Sequence, residues 1–269
     1  IQSAIGDSQA ALFGQACFHP GMAKATYGTG TSFMVYQGPE LVSPPPGMVA
    51  ALAWGIGGDV GYALEGIINV TGAAVQWLRD GLGIIRSAAE TEALAASLDD
   101  NGGVYMVPAF VGLGAPHWDM DARALICGIT RGTGREHIAR AALEAMAYQV
   151  KDVSALLDRA GGVPMRTLRA DGGASENRFL MQFQADILGI PIQRPAVAEI
   201  SALGAAYLAG LDAGIWPDKE AVERQWRAEV SYEPCMDEQE RRKLYGGWTA
   251  AVRRSLSQTD EMGEEFDRE

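Results

Sequence analysis

Four stretches of the 269-residue chain combine small, flexible residues with groups able to do chemistry. Asp7 stands beside Ser8 at the head of an apolar run. A carboxylate placed there is either a general base for a hydroxyl or the N-cap of a short helix. Thr26-Tyr27-Gly28-Thr29-Gly30-Thr31 sets hydroxyls around a glycine turn. Such a turn either brings backbone N–H groups toward an anion or simply closes a β-hairpin. Asp171-Gly172-Gly173-Ala174-Ser175-Glu176-Asn177 runs from a strand candidate into a helix candidate. Its N–H groups face along the positive end of a helix dipole, as an anion requires, or the polar residues only cap the helix. The fourth stretch, residues 110–119, holds glycines, prolines, His117 and Trp118, and is either a cleft-shaping loop or a rigid connection.

Several common chemistries lack their residues. The chain contains no G-x-x-x-x-G-K-[ST], no spaced G-x-G-x-x-G, no G-x-S-x-G and no H-E-x-x-H. His19, His117 and His137 have no cysteine or histidine neighbours at metal-ligand spacing, so no metal site is expected. Asn69-Val70-Thr71 matches a glycosylation sequon by chance in a chain read as cytoplasmic.

Positioning these groups falls to an alternation of elements. Apolar spacing predicts a short helix over residues 8–18 with Asp7 as its N-cap, then a hairpin of strands 25–27 and 31–36 around the Gly28-Thr29-Gly30 turn. Pro44-Pro45-Pro46 interrupts, and a second hairpin follows over 48–54 and 60–64. Helical period returns over 69–82 and 90–98. Brief strands at 104–107 and 123–129 flank the glycine-proline loop, and residues 136–159 form the longest helix, stopped by Gly161-Gly162. The rest alternates: strand 167–170, turn 171–173, helix 177–188, strand 191–193, helix 203–213, then helices near 219–226 and 238–255. Hairpins followed by such alternation predict an α/β fold with a mixed sheet flanked by helices. Residues 257–269, with Asp260, Glu261, Glu264, Glu265 and Asp267, read as an acidic tail.

Composition sets the outer bounds. The chain is long enough to bury a core without disulfides, and no apolar run approaches the roughly 20 residues of a membrane helix. Its 22 basic against 34 acidic residues leave a net charge of −12, which opposes binding to a phosphate backbone, so nucleic acid is not an expected partner. Three widely spaced cysteines, Cys17, Cys127 and Cys235, suit a reducing, cytoplasmic compartment.

The motifs also form an ordered series. Gly6-Asp7-Ser8-Gln9, Thr26-Tyr27-Gly28-Thr29-Gly30, Tyr62-Ala63-Leu64-Glu65-Gly66 and Gln76-Trp77-Leu78-Arg79-Asp80 come first. Val107 to Asp119 and Arg169-Ala170-Asp171-Gly172-Gly173 follow, then Ser201-Ala202-Leu203-Gly204. Together they resemble the C-terminal half of the glycerol kinases of the FGGY carbohydrate kinase family, over nearly the whole chain up to about Ser255. The stretch from Ala124-Leu125-Ile126-Cys127-Gly128-Ile129 to Glu144 resembles a second signature of that family.

The resemblance implies a ribonuclease H-like domain of the actin and sugar-kinase type over 1–256, with ATP, Mg2+ and a polyol bound in a cleft against an N-terminal domain absent from these residues. It implies Asp7 as the catalytic base, Asp7, Ser8, Ser32 and Phe33 on the polyol, and Thr29, Gly72, Gln76, Gly173 and Asn177 on the nucleotide. Two departures bear on the substrate. Ser8 stands where the glycerol kinases carry Gln, and Ser32, followed by Phe33, stands where they carry Phe, which leaves room for a larger polyol or a sugar than glycerol. On this reading the start at Ile1 marks a truncated or cleaved enzyme. The 269 residues alone are expected to bind nucleotide weakly and not to phosphorylate, and family members form dimers or tetramers. Two competing functions are a kinase-like interaction module using the surface near Tyr245 and Trp248, and an ATPase of the actin or heat-shock type.

Overall fold

A computed structural model describes residues 1–159 and 163–257. Both the Gly161-Gly162 stop and the acidic residues 258–269 lie outside the described residues.

One seven-stranded sheet organises the chain, in the order β3-β4-β2-β1-β7-β8-β9. Its first hairpin joins β1 (Ala23–Tyr27) to β2 (Thr31–Gly38), and its second joins β3 (Val49–Ile56) to β4 (Asp59–Ile68) through the two-residue turn Gly57-Gly58. Both glycines there have positive φ, as a tight hairpin requires. β4 pairs antiparallel with β2, whereas β7 (Leu168–Asp171) lies parallel to β1, with Ala23 opposite Leu168 and Thr26 opposite Asp171. β8 (Ile192–Pro195) continues parallel to β7, and β9 (Ala228–Tyr232) closes the edge antiparallel to β8. Thus the hairpins supply the antiparallel part and the later alternation the parallel part, as expected from the pattern. A separate two-stranded ladder pairs β5 (Tyr105–Val107) with β6 (Leu125–Cys127).

Helices cover both faces because strand alternation gives each face its own apolar set. On one side Ala25, Tyr27, Phe33, Val35, Leu64 and Ile68 meet α4 (Arg135–Arg159), α5 (Arg178–Leu188) and α8 (Glu238–Ser255), with α2 (Gly72–Asp80) and α3 (Glu90–Ala96) completing that layer. On the other, Met34, Tyr36 and Ala63 meet α1 (Asp7–Gly14) and α6 (Ile200–Asp212), with α7 (Lys219–Glu223) beside them. Cys17, Cys127 and Cys235 are free thiols. No helix among the described residues is long and apolar enough to cross a membrane.

Two expectations need correction. Asp7 is not an N-cap: Gly6 takes that position, and Asp7 is the first residue of α1. Its Oδ1 accepts the adjacent Ser8 N–H at 2.8 Å, and the residue is exposed at the positive end of the helix. At the surface near Tyr245 and Trp248, Trp248 itself cannot meet a partner. Trp248 is buried and stacked on Tyr148, and both side chains donate to Asp152, Tyr245 Oη at 2.6 Å and Trp248 Nε1 at 2.8 Å.

Helix α1 owes its place to two glycines. A Cβ on Gly204 of α6 would run into the Ala10 carbonyl, and one on Gly14 into the Ile200 carbonyl, so the two backbones meet without side chains between them. Gly204→Ala is therefore expected to cost about 1–3 kcal/mol by overpacking. At about 2–4 °C per kcal/mol for a domain of this size, a thermal melt reads this directly, and an unchanged midpoint would show that α1 and α6 do not meet there.

Candidate functional site

Parallel pairing of β1 with β7 brings two glycine turns together at one end of the sheet. Such a crevice beyond the carboxyl ends of parallel strands is where open α/β sheets bind ligands. The first turn, Gly28-Thr29-Gly30, is exposed at its first two residues. Its carbonyls hold the start of α2: Gly28 O accepts from Gly72 N at 3.0 Å, and Thr29 O accepts from Thr71 N at 2.9 Å and Ala73 N at 3.1 Å. A Cβ on Gly72 would strike Gly28 O, and one on Gly30 would strike Ile68 O. Gln76 is exposed one turn further along α2, on the same face as Gly72.

The second turn starts at Gly172, whose φ of 86° and ψ of 166° fall in a region open essentially to glycine alone. It lies against the Tyr27 backbone. Gly173 opens a 3-10 turn, Gly173–Glu176, that the sequence pattern did not reveal, and has open space where a Cβ would stand. Asn177 is the N-cap of α5: its Oδ1 accepts from Leu180 N at 3.0 Å while its Nδ2 donates to Thr91 Oγ1 at 3.1 Å. Capping is thus what its side chain does in this structure.

Around the first turn opens a cleft of about 570 Å3, lined by Ser8, Gly30, Thr31, Ser32, Glu65 and Asn69 on its polar side. Ile67, Val111 and Met120 form its apolar rim. The glycine-proline loop therefore contributes to the cleft wall. It is tied to β4 where Ala115 N donates to Ile67 O at 3.0 Å, and to Gly47 O by Trp118 Nε1 at 3.0 Å. Ser8 brings the start of α1, and with it Asp7, to this cleft.

Phe33, expected on the polyol, is elsewhere. Successive strand residues point to opposite faces, so with Ser32 at the cleft Phe33 is driven into the core, where it is fully buried. It cannot swing into the cleft beside Ser32.

A residue that sequence reasoning passed over lies beneath the cleft floor. Lys24 is fully buried on the same face of β1 as Thr26. Its Nζ donates to Thr26 Oγ1 at 3.1 Å, Ser32 O at 3.2 Å and Ser32 Oγ at 2.9 Å. Burial pulls its pKa down to about 8, against the upward pull of Asp171, Glu65 and Asp7. Ser32 Oγ in turn donates to Glu65 Oε1 at 3.0 Å. On the far side Gln15 Nε2 donates to Asp171 Oδ2 at 2.6 Å and Trp226 Nε1 donates to Gln15 Oε1 at 3.0 Å. Burial raises the Asp171 pKa, opposed by Gln15 and Lys24. A polar band thus crosses the α1 face of the sheet from Glu65 to Trp226. Its sequence signal was the i, i+2 pair Lys24 and Thr26 in an otherwise apolar strand.

Among the described residues no group of three or more His, Cys, Asp or Glu side chains forms a metal cage. What the site offers is an exposed carboxylate, a polar cleft wall and two glycine turns with exposed backbone.

Comparison with known proteins agrees with this geometry. The model of the C-terminal domain of the FGGY family of carbohydrate kinases matches residues 23–213. Glycerol kinase 2 of Thermotoga maritima is 59% identical over 256 residues, which cover 95% of this chain and 52% of that protein. A glycerol kinase of Caldanaerobacter subterraneus is 56% identical over 261 residues, covering 97% and 52%. The crystal structure of Plasmodium falciparum glycerol kinase with ADP superposes with a TM-score of 0.88 at 38% identity, over 94% of this chain and 51% of that one. The chain thus spans about half the length of the curated relatives it matches, and its mixed sheet flanked by helices is the sugar-kinase fold of the actin and ribonuclease H-like type. By the match over residues 23–213, which takes in both glycine turns with Lys24, Ser32 and Glu65, the chain belongs to the FGGY family of carbohydrate kinases.

Proposed function

We propose that this chain is the nucleotide-side half of a kinase that transfers the γ-phosphoryl group of MgATP to a hydroxyl of a polyol, with glycerol as the first acceptor. The observation that carries the proposal is the placement of Asp7, exposed at the head of α1 and adjacent to Ser8, beside a cleft that Ser8 lines together with Gly30 of the first glycine turn. Relatives at 56–59% identity named glycerol kinases support the acceptor, and the ADP named with the Plasmodium structure supports the nucleotide.

In this reading Asp7 takes the proton of the acceptor hydroxyl as its oxygen bonds to the γ-phosphorus and the bond to the β,γ-bridging oxygen breaks, releasing ADP. Thr29 with the backbone of its turn, and Gly173 with the turn after β7, face the phosphates, while Gly72 and Gln76 flank the nucleotide from α2. Asn177 acts by holding the α5 end of the second turn. The carboxylates of the cleft region would face a Mg2+ ion carried on the nucleotide, whose charge would offset that developing on the phosphates. Positioning and charge neutralisation supply most of the acceleration in such a transfer.

Ser8 and Ser32, both small and both on the cleft, favour a second reading in which a longer polyol or a ketose is the better acceptor. Comparing kcat/KM for glycerol, four- and five-carbon polyols and ketoses with MgATP on the full-length protein separates the two. The first reading predicts glycerol at the head of the series by at least about tenfold; a five-carbon acceptor ahead of glycerol would replace it.

A further inference from the structure

Among the groups on the cleft, Glu65 has a carboxylate half committed and half open. Its Oε1 accepts the Ser32 hydroxyl, and no described residue gives a hydrogen bond to Oε2. The commitment of Oε1 is enforced from below. All three protons of the Lys24 ammonium are used, on Thr26 Oγ1, Ser32 O and Ser32 Oγ, so Lys24 cannot donate to anything in the cleft. Because Lys24 donates to Ser32 Oγ, the Ser32 proton must point elsewhere, and it points at Glu65 Oε1. The fully buried Lys24 thereby fixes the Ser32 rotor, and Ser32 fixes Glu65, with its carboxylate on the cleft wall.

We propose that Glu65 is a specificity-determining residue that accepts a hydrogen bond from a second hydroxyl of the acceptor, with Ser32 and Lys24 as the positioning residues behind it. This rests on the polyol-kinase reading and deepens it: the acceptor must carry, besides the hydroxyl that Asp7 deprotonates, another within reach of Glu65. A site built to hold a hydroxyl discriminates against the analogue lacking it, because the buried or half-buried acceptor is then left unpaired. Met34 stands opposite Glu65 across the ladder and Ile67 opposite Ser32, so the β2 residue in register with Glu65 gives the carboxylate no donor, and Ser32 is the one that does.

The test crosses the residue with the acceptor. On the full-length protein, KM and kcat are measured with glycerol, propane-1,2-diol and propane-1,3-diol for wild type, Glu65→Gln and Glu65→Asp. Glu65→Gln is expected to raise KM for glycerol about tenfold, leave KM for MgATP within about twofold, and cost little with the one deoxy analogue that lacks the hydroxyl in question. Glu65→Asp, which withdraws the carboxylate by one methylene, is expected to show the same split in weaker form. Ser32→Ala removes only the hydroxyl that orients Glu65 and is expected to raise KM for glycerol about threefold. Equal losses with glycerol and both analogues, or no loss at all, would overturn the assignment. If wild type phosphorylated none of these acceptors, the polyol-kinase reading itself would fall, and this inference with it.

Discussion

Asp7→Asn is expected to lower kcat by about 10²–10⁴ while KM for MgATP stays within about twofold. Asparagine has the shape of the aspartate, and its side-chain oxygen can still accept the Ser8 N–H that Asp7 Oδ1 accepts at 2.8 Å. It lacks the one property the transfer needs, the capacity to take a proton from the attacking hydroxyl. Because Asp7 is exposed and is not the N-cap of α1, the substitution has no structural reason to unfold the chain. Steady-state kinetics with a denaturation midpoint as control read the effect. Turnover within about threefold of wild type would remove Asp7 from the role of base.

A second large effect is expected at Gly172→Ala. The backbone there occupies a region that alanine reaches only with strain of about 1–3 kcal/mol, and the new methyl group would strike the Tyr27 carbonyl. Relief requires the end of β7 to part from the end of β1, where Thr26 and Asp171 are paired. Those strand ends carry the two glycine turns, so the turns separate as well. Overpacking of backbone adds about 1–3 kcal/mol, and nucleotide affinity is expected to fall at least about tenfold. Denaturant unfolding and calorimetric titration with MgADP measure the two consequences. A destabilised protein with unchanged affinity would show that the turns do not share one ligand.

Much of the fold was legible in the chain because it is written locally. β-branched and aromatic runs on either side of Gly28-Thr29-Gly30, and again around Gly57-Gly58, marked both hairpins, and the long apolar stripe marked α4. The edge strand Ala228–Tyr232 was passed over although Ala228, Val230 and Tyr232 alternate with Glu229 and Ser231: it is short and mostly exposed, and its place is set by the ladder with β8. Site residues divide along the same line. Glycines that permit close backbone approach announced themselves by clustering, whereas Glu65 sat inside a motif and Lys24 just ahead of one, each as a single charge. Their burial and contact depend on β1, β2 and β4 lying side by side beneath α1, which no local spacing encodes. Phe33 stays off the polyol because the alternation of side chains along β2 turns it into the core on the face opposite Ser32.

Every role proposed for the cleft depends on phosphoryl transfer to a polyol hydroxyl. Its most direct measurement is the appearance of ADP and of phosphorylated acceptor, followed together, when the full-length protein is given MgATP with and without glycerol. Saturable glycerol phosphate formed in equal amount with ADP is expected, with ADP formation without acceptor at no more than a small fraction of that rate. ADP released at the same rate whether or not a polyol is present, with no phosphorylated product, would contradict it.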